Sequence, residues 1–412
     1  MSDEKNQSPR RWYQSLGPGL ITACVVIGPG SIMTSSKVGA VNGFSLSWVV
    51  VASVLFMLTY TTMAARLGVM AKDSPGKMLT DCVGKWLAIL IGISVFFIAS
   101  AFQFGNNLGV HTAFNAYIEF DYIVIVFNSA AIAFLFFFKN LYKALEKLMM
   151  GFVGLMLLAF AVNLIFAKPN LSEWARGFAP GGEGQIDLVV LGLVGTTFVI
   201  AAAYFQIYLI REKGIEEEDL PNSLIDSRVG AVIMALITLM IMGTAASVLR
   251  GQDLSGAGDV AKQLEPLFGS WGKGLFCLGL FCAAYSSFLI NSMIGGFVLA
   301  DGLGLGSRSE DKWTRYLTAV VLLTGMSVAL YVIKKGVQPV GAIVMAQAVT
   351  VIAAPLMAGT LLWLCNRKEH MGEQKNGPIL NIVGGIGFLM LLAMAWNTAF
   401  NKVWPKVSEW LG

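Results

Sequence analysis

Apolar residues come along this chain in long blocks, not with the alternation of a strand or the narrow stripe of a surface helix. Eleven blocks, at about 17–41, 45–71, 83–109, 122–138, 144–167, 187–211, 228–249, 269–300, 314–334, 338–365 and 379–401, are separated by polar segments. A bilayer core is crossed by about 20 apolar residues of helix, so each block predicts a transmembrane helix. The eighth and tenth blocks are long, which predicts tilt or a kink.

Two blocks carry helix breakers or weak helix formers near their middle. The first reads ITACVVIGPGSIMTSSKVGA, centred on Gly28-Pro29-Gly30, and the sixth reads LGLVGTTFVIAAAYFQIYLI, with Gly195, Thr196, Thr197 and a run of alanines. Pro29 lacks a backbone donor and disfavours helix at the residue before it. Unwound backbone at membrane depth survives only where protein or a water-filled cavity encloses it. One reading is a pair of kinked packing helices. The other follows from the spacing: breaks in the first and sixth spans are the pattern of a five-plus-five inverted repeat, with a substrate site between two discontinuous helices.

Composition fits the pattern. Of 412 residues, 56% are hydrophobic and 13% charged, about half the charge of a soluble domain, and mean hydropathy is +0.69. The net charge of +4 bears on topology and does not point to nucleic acid. With the N-terminus inside, 19 of the 29 Lys and Arg fall in inner segments and 9 in outer ones, Lys37 lying within a span. That bias predicts a cytoplasmic N-terminus and, with an odd span count, an outer C-terminus in a cell (inner) membrane. The opening MSDEKNQSPRRWYQSLGPG reads as a cytoplasmic tail without a cleavage site. The expected organisation is a tail at 1–14, a first repeat at 15–167, an outer linker at 168–186 with a short surface helix, a second repeat at 187–366, and a last span at 379–401.

Five cysteines are scattered without a C-x-x-C pair, which predicts no disulfide framework and no zinc site. The two histidines, His111 and His370, fall in or beside loops, so no His-based metal site is expected. No P-loop, dinucleotide or H-E-x-x-H signature stands where it could act. Neither an enzyme nor a nucleotide-driven pump is predicted, and no cofactor or obligate protein partner is implied. A secondary transporter in the lipid bilayer fits best.

Several stretches resemble the Nramp family of proton-coupled divalent metal transporters. They are LGPGLITA in the first span, YKALEKLMMGFVGLMLLAFAVNL in the fifth, LEPLFGSWGKGLFCLGLFCAAYSSFLINSMIGGFVLADG around the eighth with Ser286 and Ser287, and AIVMAQAVTVIAAPLMAGTLLWLCNRKEHMG in the tenth with Gln347. The resemblance covers about residues 15–400 and implies an all-α LeuT-type fold of about 11 helices, with helices 1 and 6 discontinuous. It also implies transport by rocking of spans 1, 2, 6 and 7 against the rest.

At the chemical centre this sequence departs from the family. Where the family has Asp-Pro-Gly-Asn, it has Gly28-Pro29-Gly30-Ser31. The family's Met-Pro-His aligns with Val199, Ile200 and Ala201, a further His with Gln206, and the third-span Asp and Glu that serve proton movement with Gln103 and Asn106. Gln347 alone keeps its side-chain ligand. Loss of the thioether removes the preference for transition metals. Loss of the carboxylate removes the main compensation for dehydrating a dication. Either the ion stays largely hydrated, as magnesium prefers, or the cargo is a small organic or zwitterionic solute, amino-acid-like, held at a broken-helix N-terminus. The first reading is preferred. The substrate-binding set is then Gly28 and Thr196 through backbone carbonyls, Val199 at the second break, and Ser31 and Gln347 as the metal's oxygen donors, directly or through water. A non-transporting membrane sensor is a third reading.

Other polar residues stay open. Lys37, about 9 Å beyond Ser31 along a helix, either snorkels to the outer interface or faces the cavity, where it would disfavour a bare cation or replace a coupling one. Gln103, Asn106 and Asn107 either bond between helices or line a hydrated path that carries no proton. Tyr204, Gln206 and Tyr208 line an inner vestibule or simply pack. Ser286, Ser287 and Asn291 read as packing groups, Cys277 and Cys282 as small apolar fillers. Thr350 shares the cavity with Gln347 or not. The run Glu216-Glu217-Glu218-Asp219 reads as a solvated loop or an attractor for leaving cations.

Overall fold

The computed structural model describes residues 17–138, 140–180, 188–254, 257–336, 354–398 and 400. Among them there is helix and no strand. Eight helices are long and apolar enough to cross a membrane, and a bent pair makes a ninth. Two shorter apolar helices, Ile123–Phe137 and Ala354–Leu364, coincide with the fourth and tenth blocks. Gln347, Thr350 and the tail at 1–14 lie outside the described residues.

The first block is the bent pair. Helix α1 (Pro18–Val26) stops, and α2 (Pro29–Asn42) starts again at an angle of 58°. Gly28 is extended, with φ −100° and ψ 177°, as the residue before a proline prefers. Then come α3 (Ser47–Met70), the short α4 (Pro75–Cys82), α5 (Lys85–Asn115), α6 (Ile123–Phe137) and α7 (Leu141–Ala167). The sequence pattern missed α4, whose Pro75 sits at N1 behind a Ser74 cap. The linker holds the expected surface helix, α8 (Leu171–Arg176), capped by the Asn170 side chain.

The sixth block divides into α9 (Leu188–Thr197) and α10 (Ile200–Lys213). Its two halves are nearly in line and still form one apolar length, Val190–Lys213. There follow α11 (Leu220–Val248), α12 (Ala257–Leu303), α13 (Lys312–Lys335), α14 (Ala354–Leu364), α15 (Lys368–Met371) and α16 (Pro378–Thr398). Helix α11 begins eight residues before the expected 228, directly behind the acidic run. The kink in α12 falls at Gly269, with φ +71°, at the edge of the eighth block and not inside it.

Burial sorts these helices. Every residue of α1 is buried, and so is 94% of the apolar core of Val190–Lys213, against 22% for Pro378–Thr398 and 33% for α7 and α13. Large apolar side chains such as Phe97, Phe137, Leu158, Ile165 and Trp396 point outward, as a lipid-facing surface requires. The broken helices therefore run through the middle. Helices α1, α2, α3, α9, α10 and α11 pack mainly on one another, while α5, α7 and α13 gather around α12; the two groups meet where α12 and α7 touch α1 and α11.

Candidate functional site

At the first break Ile27 still donates to the Ala23 carbonyl, and Gly28 N–H bends back to Val26. The Cys24 and Val25 carbonyls are left without helical partners. They accept from α12: Ser286 Oγ lies 3.5 Å from Cys24 O, and Ser287 Oγ 3.1 Å from Val25 O. The two serines thus close the end of a half-helix, a role beyond the packing expected of them. Gly28 faces the same wall. A Cβ there would stand 3.1 Å from Ser287 Oγ and 3.4 Å from Asn106 Oδ1.

At the second break Phe198 N–H reaches Val194 O, and α10 restarts with Ala202 and Ala203 donating to Val199 O. Among the described residues no backbone N–H donates to the carbonyls of Gly195, Thr196, Thr197 or Phe198. Gly28 O accepts from Ile32 N–H as the first acceptor of α2, which leaves its second lone pair. A restarting helix always uses the carbonyl of its N-cap.

The breaks face each other. Thr34 of α2 and Thr196 of α9 bring their hydroxyls to 3.3 Å. Around them, four buried polar atoms have no hydrogen-bond partner among the described residues: Ser31 Oγ, Ser35 Oγ, Thr197 Oγ1 and Gln103 Nε2. Buried polar atoms are nearly always bonded; nine further atoms without a partner among the described residues, such as Ser100 Oγ and Thr238 Oγ1, lie elsewhere in the bundle, and these four lie on helices that meet at or face the breaks. Val199 lines a narrow cavity with Phe198, Ile200, Ala201, Phe102 and Met357, with room for about one water (~20 Å³).

The other expected residues divide. Asn106 donates to Gln103 (3.4 Å), and Asn107 accepts from Asn128 (2.7 Å), so a bonded amide chain runs from α6 to the first break. Lys37 is half-buried and has no hydrogen bond or ion pair among the described residues. Tyr204 and Gln206 are not at the breaks. Gln206 joins the hydroxyls of Thr22 and Ser227, tying α10 to α1 and α11. Tyr204 is buried against Tyr208, whose hydroxyl donates to Asp301 at 2.7 Å. Among the described residues these three are buried in packing and hydrogen bonds.

Sequence reasoning passed over two aspartates at the basic end of the bundle. Asp226 accepts from Gly17 N–H (3.0 Å) and Gly19 N–H (2.6 Å), capping the start of α1. Gly19 and Gly230 press together there, a Cβ on Gly230 falling 2.4 Å from Gly19 O. Asp301 accepts from Ser74 Oγ (2.5 Å), Gly76 N–H (2.7 Å) and Tyr208. Arg211 donates to the carbonyls of Ala71, Lys72 and Asp73, Lys213 pairs with Glu146 at 2.5 Å, and Glu212 accepts from Ser309. This end is shut. The signal available was a carboxylate set within or beside an apolar block, which is functional or structural by default.

An all-helical membrane bundle whose first and sixth spans come apart, with unpartnered donors between the loose ends, has the architecture of the broken-helix transporters. The chain belongs to the Nramp family: the profile of Natural resistance-associated macrophage protein-like sequences matches residues 19–401. It is 25% identical over 388 residues to the divalent metal cation transporter MntH of Pectobacterium carotovorum, covering 92% of each chain. Its fold is similar to the manganese transporter of Eremococcus coleocola, with TM-score 0.80, 18% identity and 97% and 90% of the two chains covered. It is also similar to MhsT crystallised with L-phenylalanine, at TM-score 0.61 and 15% identity over 92% and 98% of the chains. The fold is the LeuT-type inverted repeat with discontinuous helices 1 and 6.

Proposed function

We propose that this chain is a secondary transporter of divalent metal cations, working by alternating access and taking a hard, largely hydrated ion such as magnesium, or a broad set of dications. The supporting observation is that the hydroxyls of Ser31, Ser35 and Thr197, on the helices flanking the facing breaks, have no hydrogen-bond partner among the described residues. The site is neutral: the carboxylates of Asp226 and Asp301 are engaged at the basic end. Neutral oxygens suit an ion that keeps most of its water, which the protein then accepts or donates to. They do not compensate a bare dication. Gln347 would add an oxygen from the tenth span, and Lys37, without a carboxylate partner among the described residues, disfavours a naked cation near α2. The basic end faces the cytoplasm in this reading, and spans 1, 2, 6 and 7 rock against the rest while it opens. Gln103 and Asn106 cannot carry a proton, so proton coupling through this part of the third span is weak or absent.

One observation favours a second reading, transport of an amino-acid-like solute. The cavity at the second break is walled by Phe198, Val199, Ile200, Ala201 and Met357, a lining that suits an apolar side chain.

Uptake into proteoliposomes separates the two. Magnesium, manganese and a panel of amino acids are offered in turn, with a pH dye inside. Magnesium flux without stoichiometric acidification is expected. Gly28→Asp with Val199→Met should then raise manganese affinity by about tenfold or more, since the new carboxylate would lie beside Ser287 and Asn106 and one decade is about 1.4 kcal/mol. Amino-acid flux alone would replace the first reading with the second. No flux of any kind would leave a sensor.

A further inference from the structure

The basic end of the bundle also gathers a donor set away from the two breaks. Cys82 closes α4 and His370 lies on α15, 288 residues apart in sequence, yet Cys82 Sγ and His370 Nε2 are 3.3 Å apart. Glu369 adds a carboxylate oxygen, and the three donor atoms all lie within 4.8 Å of one another. The absence of a His-based site was expected from spacing along the chain; here the fold brings the donors together from two connections.

The chemistry is specific. Thiolate, imidazole and carboxylate together suit a borderline ion of the zinc class and not magnesium or calcium. Tetrahedral zinc holds a sulfur at about 2.3 Å and a nitrogen at about 2.05 Å, which places them about 3.5 Å apart, close to the separation found. Glu369 is exposed and free to rotate inward. Its other contact is Arg367 at 3.4 Å, an exposed ion pair. That guanidinium also lies over the Trp363 ring at 4.3 Å, which holds it in place without the carboxylate. Cys82 is half-buried, while Cys24, Cys277, Cys282 and Cys365 are buried. A metal at Cys82 therefore has access from solvent and an open fourth position.

Position gives the site a consequence. Helix α4 begins at Ser74 and Gly76, both bonded to Asp301, which also holds Tyr208 of the broken sixth span. Its other end carries Cys82. An ion bridging Cys82 to His370 pins α4 to the connection between the last two apolar helices, and so braces this end of the bundle.

We propose that Cys82, Glu369 and His370 form a binding site for a zinc-class divalent ion, outside the transport pathway, which fastens α4 to the segment around residues 367–371. The site is independent of what the pathway carries.

Cobalt(II) is the probe, added to the full chain in nanodiscs. One equivalent should give thiolate-to-cobalt charge-transfer absorption with tetrahedral d–d bands, displaced by zinc and untouched by excess magnesium. Cys82→Ser should abolish the charge-transfer band, His370→Gln should weaken binding at least tenfold, and Glu369→Gln should weaken it severalfold, each at an unchanged melting temperature. Zinc should also slow hydrogen exchange of residues 75–82 in the wild type and not in Cys82→Ser. No thiolate band in the wild type, or a band that survives Cys82→Ser, overturns the proposal. Should a variant fail to fold, the wild-type exchange pattern decides: protection elsewhere than α4 and α15 counts against the site.

Discussion

At the basic end of the bundle Asp226 and Asp301 are buried, and each of their oxygens accepts at least one hydrogen bond. At the breaks Ser31, Ser35 and Thr197 are equally buried and bond to nothing among the described residues. The two regions handle buried polarity in opposite ways. A carboxylate out of water is tolerated only when charge-assisted bonds surround it, so the aspartates belong to the closure and rigidify it. An unpartnered hydroxyl costs roughly 1–3 kcal/mol, a cost that a ligand or its water shell removes on arrival. Charge fastens the door, and neutral oxygens wait at the site. The difference also explains how a chain can keep its family's fold while losing the family's central carboxylate: the fold's charged anchors lie elsewhere.

Mutations should separate the regions by what they disturb. The largest loss of stability is expected for Asp301→Ala, which strips partners from Ser74, Gly76 and Tyr208. About 4 kcal/mol should disappear in denaturant unfolding of the detergent-solubilised protein. Lys213→Met comes next. It leaves the mostly buried Glu146 carboxylate, 16% exposed, without its 2.5 Å partner. About 3 kcal/mol is expected, and labelling of residues at the basic end should rise as that end opens. Ser287→Ala is smaller. It removes only the donor to the Val25 carbonyl and should cost about 1–2 kcal/mol. If Ser287→Ala proved as damaging as Asp301→Ala, the division into a fastened end and a waiting centre would fail.

The sequence made much of the scaffold legible. Gly28-Pro29-Gly30 placed the first break to the residue, because a proline's effect on its predecessor is local. The second break was read across Gly195, Thr196, Thr197 and the alanines with Val199 in it, and it falls at Phe198 and Val199. Thr196 keeps its helical place by bonding back to Leu193 O, an option that residue type alone does not settle. The amides at 103, 106 and 107 were seen as a polar patch, and the patch is real. What stayed hidden was long-range pairing. Asp226 lies 207 residues from Gly19, and Asp301 lies 227 from Ser74. Nothing in either local pattern announces the partner. Ser286 and Ser287 were visible as polar residues in an apolar helix, but their role depends on carbonyls freed 262 residues away.

The central claim is that the unpartnered hydroxyls between the broken helices serve cargo and not the fold. A Ser31→Ala, Thr197→Val double variant in proteoliposomes, assayed for magnesium uptake beside its melting temperature, tests it most directly. Removing two unsatisfied hydroxyls should leave stability within about 0.5 kcal/mol of the wild type or raise it, while uptake efficiency falls at least tenfold. Uptake at the wild-type rate by a protein of wild-type stability would contradict the account.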